Sequence, residues 1–279
     1  MGVQIKRHPD GTVDWFKACL VAKGFNQCSS VDYIEAFSFV IKLITIRLIL
    51  SLALSNNWPL KQIDINNTFL HGQLIEQVFM QQPSDFIDQS YPHHVCSLQK
   101  SIYGLKQGLR AWYNALRSDL LELGLFNSKF DSSLFIFNWD GILLYVLVYV
   151  DDLILTDNKN QFLQYVVKSL GERFSLKELN DLHYFLGVEV IPIQQGLFLS
   201  QNRYVHDLFI RLKMAGTKEV QTPMFVSTKL MHDDGLASCD ATEYRHTIGS
   251  FQYLSLTCPD LSFAVNCLAH FMHKSTIMH

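Results

Sequence analysis

The sequence predicts an α+β protein organised around one apolar hairpin, and three observations lead there. Residues 142–156 read ILLYVLVYVDDLILT: two apolar runs rich in Val, Ile, Leu and Tyr, the signature of buried strands, meet at Asp151 and Asp152. Residues 110–123 carry Trp112, Ala115, Leu116, Leu120 and Leu123 at helical spacing, and Gly124 follows as a stop signal. The chain has 279 residues, 48% hydrophobic and 18% charged, enough to bury a sizeable core in one large domain or two smaller ones. That balance excludes a disordered chain.

Taken in order, residues 1–23 read as two short strands around a turn at Pro9-Asp10-Gly11-Thr12. Residues 42–57 read as a helix that is apolar almost all round, interrupted by Lys42, Thr45 and Arg47, so burial on most sides is expected. Asn56-Asn57 and Pro59 end it. In the strand at 60–65, alternation sets Leu60, Gln62 and Asp64 on one face and Lys61, Ile63 and Ile65 on the other. Residues 72–91 show a mixed pattern, with Pro83 and Pro92 marking loops. Beyond the hairpin come a helix at 161–173 and strands at 184–190 and 196–199. Helices then dominate, at 201–214, 241–256 and 259–273, with Pro259 suited to a first turn. Residues 217–240 are polar and irregular and read as a linker.

The chemistry concentrates at Asp151 and Asp152. Two like charges side by side inside the most hydrophobic segment repel, and loss of water raises the cost. A divalent cation removes that penalty, and carboxylate oxygens are the usual protein ligands of Mg²⁺. From these residues alone, an exposed hairpin tip carrying two aspartates fits equally well. Asp64, near the end of its strand, reads on its own as a helix cap more readily than as a ligand.

Other classes fall away. The six cysteines are scattered with no C-x-x-C pair, against a zinc framework or a disulfide scaffold. His93-His94 near Cys96 match no standard metal spacing and read as loop residues. No signal peptide pattern opens the chain, and its apolar runs are too short or interrupted to span a bilayer, so an intracellular protein without a membrane partner is expected. The net charge of −3 offers no general attraction to nucleic acid, so a binding face needs local clustering; Lys100, Lys106, Arg110 and Arg117 crowd one segment. On spacing alone, a solvated helix face explains them as well.

Tyr149-Val150-Asp151-Asp152 resembles the YxDD motif of reverse transcriptases. Before it stand Val21-Ala22-Lys23-Gly24-Phe25, Gln62-Ile63-Asp64-Ile65 with Phe69-Leu70-His71-Gly72, and Ser101-Ile102-Tyr103-Gly104-Leu105-Lys106-Gln107. After it stand Tyr184-Phe185-Leu186-Gly187-Val188-Glu189, Leu199-Ser200-Gln201 and Phe271-Met272-His273-Lys274. This ordered set, covering nearly the whole chain, resembles the reverse transcriptase of copia-type LTR retrotransposons.

The resemblance implies a right-hand polymerase fold: fingers and an antiparallel palm with the start of the thumb over residues 1–225, then a helical thumb or connection-like segment over 226–279. It implies RNA-directed DNA synthesis on a primer and template from dNTPs, with two Mg²⁺ ions for which Mn²⁺ can substitute. Asp64 and Asp151 are then bridging ligands and Asp152 a less direct third carboxylate. Phe69 becomes the ring that leaves no room for a 2′-hydroxyl, although a core aromatic is the plainer reading without the resemblance. Gln107, Lys23, Lys106 and Tyr149 become nucleotide neighbours, Leu186 and Gly187 a turn against the primer, and Lys177 a proton donor to pyrophosphate. An intact element would place the protein in a cytoplasmic virus-like particle or the nucleus. Family members usually have further sequence before the position of Met1 and continue after Lys274 into a connection and an RNase H domain, so a chain truncated before RNase H is expected.

Several positions depart from the family pattern. Arg is usual at Cys19, Pro at Phe39, Lys at Asn66, Ala at Thr68, Ala-Pro at Gly108-Leu109, Gly at Asp157 and Asn180, and Arg at Cys258. The three carboxylates survive while many supporting positions do not, which raises a second expectation: an inactive remnant that at most binds nucleic acid weakly.

Overall fold

The computed structural model describes residues 2–7, 12–36, 41–177, 180–218, 220–224, 230–231 and 235–279. The turn residues Pro9, Asp10 and Gly11, and Phe39, lie outside the described residues, as does the side chain of Cys19. The chain forms two compact units, Met1–Asp181 and Leu182–His279, dividing upstream of the 225/226 boundary that the resemblance implies.

In the first unit, β1 (Gly2–Arg7) pairs antiparallel with β2 (Val13–Cys19), as the sequence predicts. Helix α1 (Leu43–Ser55) follows, and its surroundings correct the expectation of burial on most sides. Ile46, Ile49, Leu50 and Ala53 are buried, whereas Ile44 and Leu48 are 70% and 52% exposed. The buried positions recur at helical spacing on one face, and Ile44 and Leu48 fall on the other. Asp131 ties down the start of this helix. One of its oxygens accepts from the Lys42 amide at 3.2 Å and the Thr45 hydroxyl at 2.6 Å, the other from the Ser133 amide and hydroxyl. Burial pushes the Asp131 carboxyl up, but these donors outweigh it and hold its pKa below the usual range.

Strand β3 (Leu60–Asp64) comes next, then β4 (Gln73–Gln81) and β5 (Val95–Lys100), an antiparallel pair within and beyond the segment of mixed pattern. His93 and His94 lie in the connection between them, as loop residues. Helix α2 (Gly108–Glu122) is closed by Gly124 at φ +86°. Strands β6 (Phe126–Asn127), β7 (Leu134–Trp139), β8 (Ile142–Tyr149) and β9 (Asp152–Asp157), helix α3 (Asn160–Arg173) and strand β10 (Asn180–Asp181) complete the unit. The sequence reading misses β7, although its signal is present. Asp140 and Gly141, at φ +50° and +69°, make the two-residue turn whose twist suits a hairpin.

The sheet order is β10-β3-β9-β8-β7-β6, antiparallel throughout. Alternate residues of its central strands (Ile63 and Ile65, Leu144, Val146 and Val148, Leu153 and Leu155) enter one core with Trp112, Leu116 and Leu120 of α2 and Leu163, Val166 and Leu170 of α3. A slip of one residue would turn every one of these side chains to the other face, so burial fixes the register.

In the second unit, β11 (Tyr184–Phe185), β12 (Val188–Ile193) and β13 (Gly196–Ser200) form an antiparallel sheet. The strand predicted at 184–190 is interrupted because Leu186 and Gly187, at φ +52° and +69°, form a tight turn. Helices α4 (Asn202–Arg211), α5 (Ala241–Leu254) and α6 (Ser262–Ala269) follow. Asp240 caps α5 by accepting from the amides of Thr242 and Glu243. Pro259 opens a 3-10 turn, Pro259–Leu261, so the regular helix is shorter than the predicted 259–273. Among the described residues no helix is long and apolar enough to cross a membrane.

Candidate active site

The register fixed by the core brings three side chains into one row. Asp64 pairs with Asp152 across β3 and β9, and Tyr149 pairs with Asp152 across β8 and β9. Directly opposed residues of adjacent strands share a face, so Asp64, Asp152 and Tyr149 stand together. Asp151 sits beside them in the two-residue turn after β8. The other turn residue, Val150, holds φ at +51°, an uncommon conformation for a β-branched residue and a costly one. Two bonds retain it: the buried Trp112 indole donates to the Val150 carbonyl at 2.6 Å, and the Ile65 amide donates to the Asp151 carbonyl at 2.8 Å.

The electrostatics follow from that crowding. Burial pushes the Asp152 carboxyl up, and the charges of Asp151 and Asp64 push the same way. A hydrogen bond from Gln62 Nε2 at 3.1 Å and the charge of Lys177 pull it down without cancelling the rise. Lys177 Nζ lies 2.6 Å from Asp64 Oδ2, and its backbone amide donates to the Asp64 carbonyl at 2.9 Å. Lys177 therefore acts on two of the carboxylates, Asp64 and Asp152. Among the described residues no three His, Cys, Asp or Glu side chains gather closely enough to hold a metal ion, and Asp64 directs one oxygen to Lys177.

The remaining candidates are distributed as follows. Phe69 lies in the 3-10 turn Thr68–His71, its ring 4.8 Å from that of Tyr103. A Cβ at Gly108 would come 3.1 Å from the Phe69 ring, so a larger residue there presses on it. Thr68 is buried. Lys23 and Lys106 have exposed side chains. Gln107 is 0% exposed, and its amide is taken up by Gln27 and by the Asp32 carbonyl. Leu186 and Gly187 belong to the second unit, where a Cβ at Gly187 would come 2.5 Å from the Tyr253 hydroxyl. Of the basic cluster, Arg110 is consumed by an ion pair with Glu76, while Lys100 and Lys106 are exposed.

Three supporting residues escaped the sequence reading. The spacing of Trp112 reads as ordinary core packing, yet its indole holds the Asp-bearing turn. Gln62 was placed on the face of Asp64 without a role, although a position two residues away on one strand face is where a second support belongs. Gln27 had no signal at all.

Comparison with known proteins places the chain in a family. The model for reverse transcriptase (RNA-dependent DNA polymerase) matches residues 3–226. The chain is 49% identical to the retrovirus-related Pol polyprotein from transposon RE2 of Arabidopsis thaliana, over 98% of this chain and 19% of that protein. It is 48% identical to the Pol polyprotein from transposon RE1 of the same plant, with the same coverage. To that from transposon TNT 1-94 of Nicotiana tabacum it is 31% identical, over 97% of this chain and 21% of the relative. The chain thus spans about a fifth of the length of these curated relatives. Enzymes of this family generally use divalent metal ions and act on a nucleic-acid template with a primer. The chain belongs to the reverse transcriptase family, as the reverse transcriptase domain of copia-type retrotransposon Pol polyproteins.

Proposed function

We propose that this chain performs RNA-directed DNA synthesis, transferring nucleotides from dNTPs to a primer 3′-hydroxyl in a right-hand polymerase fold. Residues 1–225 then act as fingers and palm with the start of the thumb, and 226–279 as a thumb or connection-like segment. The observation that carries this is the row Asp64, Asp152 and Tyr149 with Asp151 alongside, set by register and not by chance proximity.

In this reading the row would take a pair of divalent cations, Mg²⁺ with Mn²⁺ able to substitute, once its carboxylates drew closer than they stand here. The Asp152 carboxyl is raised by burial and by its two neighbours, a repulsion that Lys177 relieves only in part. Asp64 and Asp151 would hold both ions, with Asp152 completing the set. When bound, such ions activate the attacking hydroxyl and stabilise the leaving pyrophosphate. The protein's own work is positioning. Gln62 orients Asp152, Trp112 fixes the turn that presents Asp151, and Lys177 must release Asp64 Oδ2 for that oxygen to serve as a ligand. Phe69 would exclude a 2′-hydroxyl, Lys23 and Lys106 would meet the triphosphate, and the Leu186-Gly187 turn would meet the primer. A cytoplasmic particle or the nucleus is the matching compartment.

Primer extension on a homopolymer RNA template, with Mg²⁺ and then Mn²⁺, tests this against the double variant Asp151→Ala, Asp152→Ala. Extension by the wild type that disappears in the variant is the expected result. A second reading, an inactive remnant that binds duplex weakly, is favoured by one observation: Asp157, where the family pattern has Gly, is buried without a hydrogen-bond partner. Folded protein that binds the duplex and extends nothing would establish that reading instead.

A further inference from the structure

The segments 21–33 and 101–108 interlock. The Ala22 amide donates to the Tyr103 carbonyl at 2.7 Å, and Val21 forms a parallel bridge with Tyr103. Gly24 and Gly104 meet backbone to backbone: a Cβ on Gly24 would lie 1.8 Å from the Gly104 carbonyl oxygen. Gly104 sits at φ +90°, and a Cβ on it would lie 2.2 Å from the Ala22 oxygen. Only glycine permits that approach from either side.

Across this contact lies a chain of three hydrogen bonds made by amide groups. Gln27 Oε1 accepts from the Lys106 amide at 2.8 Å, and Gln27 Nε2 donates to Gln107 Oε1 at 3.1 Å. Gln107 Nε2 in turn donates to the Asp32 carbonyl at 3.1 Å. Reversing the Gln27 amide would set two donors face to face at Lys106, so its orientation is determined. Gln107 is fully buried and immediately precedes α2, while Lys106 beside it keeps its side chain in solvent. Lys23, also exposed, immediately precedes Gly24 on the other segment.

We propose that Gln27 is a positioning residue for the nucleotide-binding half of the site, setting the backbone of Lys106 and the side chain of Gln107. The proposal rests on the polymerase reading above. Gln107 then serves as one link of this tie, not as a contact to the nascent base pair. The tie fixes where Lys23 and Lys106, the two cations assigned to the triphosphate, leave their backbones. A triphosphate bridging them needs that spacing held, because two free loops would have to be ordered on each binding event.

The test compares Gln27→Met, Gln107→Met and the double variant, each keeping side-chain length while losing the amide. Loss of one such bond network is expected to raise the KM for dNTP about tenfold, with kcat and primer–template affinity within about twofold. General structural damage would act otherwise, lowering the active fraction and hence kcat while leaving KM in place. The double variant is expected to be no worse than either single one, since both break the same tie. Hydrogen exchange on the protein alone gives a readout independent of activity: the Lys106 amide should exchange at least about tenfold faster in Gln27→Met. An unchanged Lys106 amide or an unchanged KM would overturn the tie, and multiplying effects in the double variant would restore Gln107 as a separate nucleotide contact. Wild-type protein that extends no primer would overturn the polymerase reading instead, with the exchange result still deciding whether the tie exists.

Discussion

Strand β9 begins and ends with an aspartate, and the two ends differ in what surrounds a carboxyl taken out of water. At its start, Asp152 is raised by burial and by two neighbouring carboxylates, yet it accepts from Gln62 and feels Lys177. At its end, Asp157 is 0% exposed, and neither of its oxygens has a hydrogen-bond partner. Burial drives its pKa up as well, against weaker pulls from the amides of Leu163 and Lys159 where α3 begins. Desolvation is therefore common to both ends and distinguishes neither. The first end is set apart by convergence: β3, β8 and the 177 segment each bring a group to Asp152. The far end receives only the weaker pulls of the Leu163 and Lys159 amides, so its carboxyl is a net cost to the fold.

The largest effect should come from Asp152→Asn. The replacement still accepts from Gln62 and keeps the shape of the side chain while removing one charge from the cluster. If the row is an active site, primer extension should fall on the order of a hundredfold or more. Thermal stability should hold steady or rise, because the removed charge was repelled by Asp151 and Asp64. Activity and stability moving in opposite directions would sharpen the contrast between the two ends. A parallel fall in both would mean that Asp152 serves the fold, as its Gln62 bond alone would suggest.

How much of this was legible in the sequence depends on the range of each interaction. The hairpin and the Asp pair can be read from two continuous apolar runs, and the strand ending at Asp64 from its alternation. The Asp64–Asp152 pairing itself came from the resemblance, since nothing local says which strand lies beside β9. Strand β7 was legible through Asp140-Gly141 and was missed, and the break at Leu186-Gly187 was hidden by an unbroken apolar pattern. The contacts that hold the row in place are long-range: Gln62 reaches Asp152 across 90 positions, and Trp112 reaches Val150 across 38. Side-chain bonds of that kind leave no periodicity to read.

The far end of β9 offers the next test. Asp157→Ala removes a buried carboxyl that has no partner and should stabilise the protein by roughly 1–3 kcal/mol near neutral pH, seen in denaturant unfolding. Its pH dependence has a definite sign. An unfolded aspartate titrates near about 3.9, whereas the folded Asp157 keeps its proton to higher pH. Between the two values the folded protein binds more protons, so stability falls as pH rises through that window and is retained below it. The Ala variant lacks this fall. Its advantage over the wild type should grow upward from about pH 4 and then level off once the folded carboxyl has ionised. Asp131 and Glu76, which are lowered and act with the opposite sign, are common to both proteins and cancel in the difference. Primer extension should be unchanged, since Asp157 stands at the opposite end of the strand from the row.

A third carboxylate on the same sheet completes the comparison at the smallest scale. Asp181 of β10 is 70% exposed and lies 2.7 Å from Lys61 Nζ of β3. In distance this ion pair is close to that of Lys177 with Asp64, at 2.6 Å, but water surrounds the Asp181 partner and screens the attraction. Lys61→Met keeps the apolar stem along the strand and should cost no more than about 1 kcal/mol, less at high salt. If the three aspartates differ because of what converges on each, their substitutions must rank in this order: a large loss of activity at Asp152, a gain in stability at Asp157, and almost nothing at the Lys61–Asp181 edge. A cost above about 2 kcal/mol for Lys61→Met would break that ranking, since an exposed pair does not carry such a value in water. The edge pairing of β10 with β3, next to Asp64, would then be a support of the row that exposure alone does not reveal.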